Sequence, residues 1–142
     1  MFKYISLLTL IFSLSVGAKQ TYGSAVVSEV VSIYDGDTFR VNLDGYNDII
    51  GKNIPIRLNG VDTPEMRGKC QQEKDLARAA KQFTVAKLRA AKKIELRNMM
   101  RGKYFRIAAD VYVDGISLGQ MLIDNDHAIK YSGGKKVKDW CS

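Results

Sequence analysis

The stretch that decides the fold is Ala25–Val61, AVVSEVVSIYDGDTFRVNLDGYNDIIGKNIPIRLNGV. Valine-rich Ala25–Ile33 and alternating Thr38–Leu43 have the composition and the two-residue period of strands. Between them Tyr34–Asp37 contains Asp-Gly, a strong hairpin signal. Asp44–Asn53 is a polar, glycine-containing turn. Ile54–Val61 is a third strand, with Pro55 near its start, where a missing N–H is tolerated. Further along, Asp62–Lys69 reads as a loop, and from Gln71 to about Lys92 the period becomes helical. Leu76, Ala80, Phe83, Ala86 or Lys87, and Ala90 recur every three or four residues, with lysines and arginines between them. Lys93–Arg97 and Phe105–Val113 return to strand patterns. Ser117–Asn125 suits a short helix capped by Ser117, and Ala128–Tyr131 a last short strand. Five short strands with one long helix after the third predict an α+β, β-rich fold. The expected architecture is an OB-type five-stranded β-barrel with two or three helices, in which near-closure protects the sheet edges.

The ends of the chain read differently from its middle. Met1–Ala18 has a lysine at position 3, an apolar run from Ile5 to Val16, and the small residues Gly17 and Ala18. That is the layout of a secretory signal peptide, and the run is shorter than the roughly 18 residues of a good membrane span. The expected organisation is a signal peptide over 1–18, a short polar lead over 19–24 and one domain over 25–142. The protein is expected to be exported, periplasmic or secreted, with no stable membrane association after cleavage. Cys70 and Cys141 are the two cysteines. An even count in an oxidising compartment favours pairing, which by loop entropy stabilises the fold by about 4 kcal/mol. A metal site is the weaker alternative, because two distant thiols and one histidine make a poor zinc set.

Charge narrows the partners. The chain carries 22 Lys and Arg against 15 Asp and Glu, a formal +7, and removal of residues 1–18 takes away only Lys3. Such a field favours a polyanion and speeds its arrival. Several chemistries are excluded. One histidine, His127, leaves no room for zinc sets with two or three histidines. No glycine-rich loop followed by Lys-Ser/Thr is present to cradle a nucleotide. Oxygen and guanidinium chemistry remains, in three short stretches: Asp35-Gly36-Asp37-Thr38, Arg57 through Asp62-Thr63-Pro64-Glu65, and Lys103-Tyr104-Phe105-Arg106.

Taken singly, each stretch has a bland reading as a turn. Together and in this order, they make the chain resemble the staphylococcal-nuclease (thermonuclease) family from about Val26 to about Tyr131. The resemblance implies a calcium-dependent nuclease, a monomer acting on DNA and RNA, with single-stranded or frayed substrate preferred and 3′-phosphate ends as product. It implies that Asp37 and Asp62, with the backbone carbonyl of Thr63, bind Ca2+, a hard cation that takes oxygen ligands. It implies Glu65 as general base, and Arg57 and Arg106 as the pair of guanidinium forks on the phosphate. Lys103, Tyr104 and Tyr131 fall where the family holds terminal phosphate and stacks a base; core packing is an equal reading of Tyr131. Phe105 stands where the family often has glycine, which bears on how Arg106 approaches. A non-catalytic nucleic-acid-binding barrel is the alternative function, although such a module has no need for all five of Asp37, Arg57, Asp62, Glu65 and Arg106.

Overall fold

In the computed structural model, residues 17–142 are described. The signal segment expected over 1–18 therefore lies, up to residue 16, outside the described residues. Ala25–Ile33 (β1) and Thr38–Leu43 (β2) form the expected antiparallel hairpin, and Ile54–Leu58 (β3) pairs antiparallel with β2. Register shifts at Val27/Glu29 and Val30/Ser32 mark irregularities in β1, of the kind that bend a strand and raise its twist. The turn before β3 holds a one-turn helix, Asp48–Gly51 (α1), whose entry is capped by the Asn47 side chain accepting from the Ile49 N–H.

The expected third strand does not run to Val61. Gly60 takes a left-handed φ of +81°, which breaks the ladder, and Val61–Asp62 (β4) restarts as a separate short strand. Gln71–Ala90 (α2) is the long helix. Ile94–Arg101 (β5) runs four residues past the expected end at Arg97, because Asn98, at φ +51°, sits in a register shift and lets pairing resume at Met100. Ile107–Val113 (β6) starts later than expected. Tyr104 and Phe105 have positive φ, cannot extend a strand, and lie instead in a single 3-10 turn, Lys103–Phe105. Ile116–Ser117 (β7), Leu118–Asp124 (α3) and Ile129–Lys130 (β8) complete the chain, with Ser117 Oγ capping α3 as its sequence predicts.

Closure joins distant segments. The order is β3-β2-β1-β5-β6, and β6 returns to lie parallel to β3, so five strands make a closed barrel with one parallel seam. The OB-type α+β fold is thus present. Phe39, Val41, Ile56, Leu58, Leu96 and Val111 form the core, joined in one buried cluster by Leu118 and Leu122 of α3. Tyr22 and Gly23 of the polar lead hydrogen-bond to Met99 in β5. No helix among the described residues is long and apolar enough to cross a membrane. Cys70 and Cys141 form a disulfide, their Cα atoms 6.0 Å apart.

The face that α2 turns inward differs by one position from the expected stripe. Glu73, Ala77, Ala80, Thr84 and Leu88 are buried, whereas Leu76 is 36% exposed. Small side chains are needed there because the backbone of the β1–β2 turn comes very close: a Cβ on Gly36 would lie 3.0 Å from Ala80 Cβ. Thr84 Oγ1 donates to the Gly36 carbonyl at 2.7 Å with no solvent access. Thr84→Val keeps the shape and removes the donor, stranding that carbonyl. Chemical denaturation should show a loss of about 1–3 kcal/mol with an unchanged slope; an unaltered midpoint would show that the contact contributes nothing.

Candidate active site

The β1–β2 turn is built around buried acid. Asp35, Gly36 and Asp37 are all buried. The Asp37 N–H donates to Asp35 Oδ1 at 3.1 Å, closing the turn on itself. The Asp37 carboxylate then reaches outward. Its Oδ1 accepts from Thr38 Oγ1 at 3.0 Å, and its Oδ2 accepts from the Thr63 N–H at 3.3 Å. The Leu58 N–H donates to the Asp37 carbonyl at 2.8 Å. One residue therefore ties the hairpin turn to the end of β3 and to the segment following β4.

Arg57 enters from β3, opposite Thr38 on one side and Ala108 on the other. Its guanidinium pairs with Asp37 Oδ2 at 2.5 Å and donates to the carbonyls of Leu58 and Val61 at 3.1 and 3.2 Å. A planar fork held by three acceptors is fixed in direction before any ligand arrives. Arg106 follows the 3-10 turn and is held loosely, Nε to the Lys103 carbonyl at 3.4 Å. Among the described residues it has no carboxylate partner, so its charge is free for an anion.

Glu65 sits on the loop between β4 and α2, half exposed. Its loop is shaped by Glu73, a buried residue that the sequence reading passed over. Glu73 Oε1 accepts from the Glu65 N–H at 3.2 Å and Oε2 from the Lys69 N–H at 3.0 Å. Gly68 is required beside it, since a Cβ there would fall 2.5 Å from the Glu73 carboxylate. The available signal was position: Glu73 is third after the cap residue Cys70, where a carboxylate commonly reaches back to orphan N–H groups.

A second residue missed by sequence reading is Lys136, on the basic tail after β8. Its ammonium donates to Glu65 Oε1 at 2.6 Å and lies 2.7 Å from Asp62 Oδ1. The Asp62 contact is an ion pair without hydrogen-bond direction, and Oδ1, fully buried, accepts no hydrogen bond. Tyr131, expected to stack a base, donates its hydroxyl to the Gly134 carbonyl at 2.5 Å and so anchors the turn that carries Lys136.

These side chains border a cleft of about 460 Å³. Asp37, Arg57, Glu65, Lys103, Arg106 and Tyr131 line it, together with Tyr34, Asp35, Thr38 and Lys136. Asp62 lines an adjoining hollow that shares Glu65 and Lys136, and Thr63 is buried behind it. Tyr104 stands apart. It is 85% exposed and faces a neighbouring hollow that shares Tyr34, Thr38 and Arg106 with the cleft. His127 packs against Phe83, with ring centroids 4.9 Å apart.

The donor set of Asp37 and Asp62 is all oxygen and buried, and the orphaned Asp62 Oδ1 is an acceptor that a non-directional cation satisfies. The residues fit a hard divalent ion. They are not collapsed into a cage, because Arg57 and Lys136 are interleaved with them. Among the described residues, Cys70, Glu73 and Cys141 bring three metal-type donor atoms within 4.8 Å of one another. The two sulfurs are bonded to each other, which leaves no thiolate for a metal.

Burial raises the Asp35 carboxyl, and the neighbouring charges of Asp37 and Glu65 push it further, to about 7. For Lys136, burial pulls the ammonium down, but Asp62 and Glu65 outweigh this and hold it above the ordinary lysine value.

The fold and site together define an OB-type barrel with a carboxylate–arginine cleft. Residues 55–139 match the family model described as staphylococcal nuclease homologue, and the chain belongs to that nuclease family. The match takes in Arg57, Asp62, Glu65, Arg106 and Lys136, and begins after the Asp35–Asp37 turn. Among curated proteins no match is found.

The raised Asp35 value makes stability depend on pH. An unfolded aspartate titrates near 3.8, so between there and about 7 the native protein keeps a proton that the unfolded chain has released. Stability therefore falls as pH rises through that window. Asp35→Asn retains the acceptor for the Asp37 N–H without the charge. Thermal melts in chelator should find it equal to wild type near pH 4 and increasingly more stable towards pH 8. A difference that does not vary with pH would contradict the assignment.

Proposed function

We propose that the protein is a calcium-dependent nuclease that hydrolyses DNA and RNA with little sequence preference. The observation that carries this reading is the convergence of Asp37, Arg57, Glu65 and Arg106 on one cleft, with Asp62 immediately beside them. Asp37 and Asp62, with the Thr63 backbone oxygen, are the residues that would hold calcium. When bound, that ion polarises the phosphate and orients a water.

The chain's own residues account for the rest. Glu65 is half exposed on a loop braced by Glu73, so its carboxylate can accept a proton from a water at the cleft mouth. The water oxygen bonds to phosphorus, the bond to the 5′-oxygen breaks, and that oxygen takes a proton from solvent. The phosphate stays on the 3′ side. Charge accumulates on the phosphoryl oxygens in the crowded intermediate geometry, where two guanidinium forks act more strongly than on the ground state. Arg57 is pre-set by its backbone acceptors, and Arg106 is free to close on the substrate.

Lys103 supplies charge for a terminal phosphate, and the exposed Tyr104 ring suits stacking on a base, a contact worth about 1–3 kcal/mol and indifferent to sequence. Tyr131 shapes the cleft wall while holding the tail. Single-stranded or frayed nucleic acid is the substrate that such a cleft admits. The Cys70–Cys141 disulfide suits an oxidising compartment, in keeping with export to periplasm or medium. The protein acts as a monomer, free of the membrane once residues 1–18 are removed.

Digestion of heat-denatured DNA tests the reading. Cutting should require calcium and stop in chelator. Glu65→Gln should lower the rate about 10²–10⁴-fold, and Arg57→Lys or Arg106→Lys about 10²–10³-fold. DNA binding with no cutting in any divalent metal would overturn it and leave a non-catalytic binding barrel.

A further inference from the structure

The tail Ser132–Ser142 is held at both ends. At its start Gly133 and Gly134, at φ +99° and +85°, make a turn pinned by the Tyr131 hydroxyl. At its end Cys141 is bonded to Cys70, the residue that caps α2. Midway between the two anchors stands Lys136. Lys135, Lys136 and Lys138 are all exposed, but of the three it is the Lys136 ammonium that reaches Asp62 and Glu65.

That contact has the character of a stand-in. Asp62 is 2% exposed, so its charge needs a counter-cation in the fold. The ammonium supplies the charge at 2.7 Å but not a directed hydrogen bond. A spherical cation has no such directional requirement. A divalent ion on Asp62 and an ammonium at the same oxygen also exclude each other, since like charges a few ångströms apart repel strongly in a partly buried site.

We propose that Lys136 is a positioning residue of the active site, a tethered cation that holds Asp62 and Glu65 together in the metal-free protein and competes with calcium for them. The inference rests on the calcium reading above and adds a residue and a tether to it. The disulfide sets how often the competitor is present, because a tail closed at both ends keeps its ammonium at high effective concentration. Calcium binding then requires that Lys136 leave Asp62, and the tail moves with it.

Isothermal titration of calcium chloride into the oxidised protein tests this directly. Lys136→Gln should bind calcium about tenfold more tightly, in the middle of the range that site–site couplings span. Lys136→Arg, which keeps the charge, should retain wild-type affinity. In chelator, Lys136→Gln should melt below wild type, and saturating calcium should narrow the gap. A lysine with only a structural role would give the opposite sign, weaker calcium binding on its removal.

The tether has its own arm. Cys70→Ser with Cys141→Ser keeps a helix-capping side chain and frees the tail. That variant should also bind calcium more tightly, and adding Lys136→Gln to it should change little. An equal gain from Lys136→Gln with and without the disulfide would overturn the tether. Equal or weaker calcium affinity in Lys136→Gln alone would overturn the inference while leaving the calcium reading standing. No calcium heat in wild type or in Lys136→Gln would overturn both.

Discussion

The arrangement depends on how closely the backbone of Gly36 approaches α2 (Gln71–Ala90). Ala80 and Thr63 crowd the space that a side chain would take there, and Thr84 satisfies the Gly36 carbonyl from the helix side. With that carbonyl fixed, Asp35 and Asp37 are forced to either side of it, both buried. Asp37 then binds the Thr63 N–H and Arg57. Loosening the glycine contact would therefore disturb two carboxylates, one arginine and the start of the Glu65 loop at once. The parallel β3–β6 seam serves the same end from the other side, since it brings Arg57 in β3 beside the segment that delivers Arg106.

Electrostatically the site is poised by alternation. Asp35, Asp37, Asp62 and Glu65 are gathered within one region, and burial alone would leave at least one protonated. Asp35 takes that role, with its value raised to about 7. Asp37 is matched by Arg57, and Asp62 with Glu65 by Lys136. The cations are of two kinds. Arg57 is fixed by backbone carbonyls and belongs to the barrel. Lys136 is carried by a tail, with 42% of its side chain in solvent. Lys136 is thus the more solvent-exposed of the two paired cations, against 20% for the Arg57 side chain.

Much of this was legible in the sequence. The strand hairpin, the long helix, the Ser117 cap and the three motifs follow from period, turn chemistry and order, and the structure brings Asp37, Arg57, Glu65 and Arg106 to one cleft. What escaped did so for physical reasons. Strand ends depend on single left-handed residues, such as Gly60 and Asn98, which periodicity does not register. The inward face of α2 runs through Ala77, Thr84 and Leu88 beside Ala80, because a helical period does not say which of two adjacent rows a neighbouring turn packs against. Lys136 lies 71 residues from Glu65, and a lysine in a basic tail looks like any solvated charge. Nothing local distinguishes it until the disulfide folds the tail back.

The turn before Arg106 shows how a departure from the resembling pattern is accommodated. Tyr104 and Phe105 both occupy left-handed backbone at φ +58° and +59°, a conformation that glycine adopts freely and bulky residues reach at a cost of order 1–3 kcal/mol. The conformation is held by Gly102 N–H to the Arg106 carbonyl at 2.7 Å and by Arg106 N–H to the Lys103 carbonyl at 3.1 Å. A Cβ on Gly102 would sit 2.9 Å from that Arg106 carbonyl, so glycine is needed at 102 whatever stands at 105. The requirement for a small residue is thus met at the neck of the turn rather than at its tip. Phe105 is left 98% exposed without displacing Arg106 from the cleft. The strain is local to the aromatic pair, and Arg106 lies just past the point where the backbone returns to extended geometry, at φ −72° and ψ 147°.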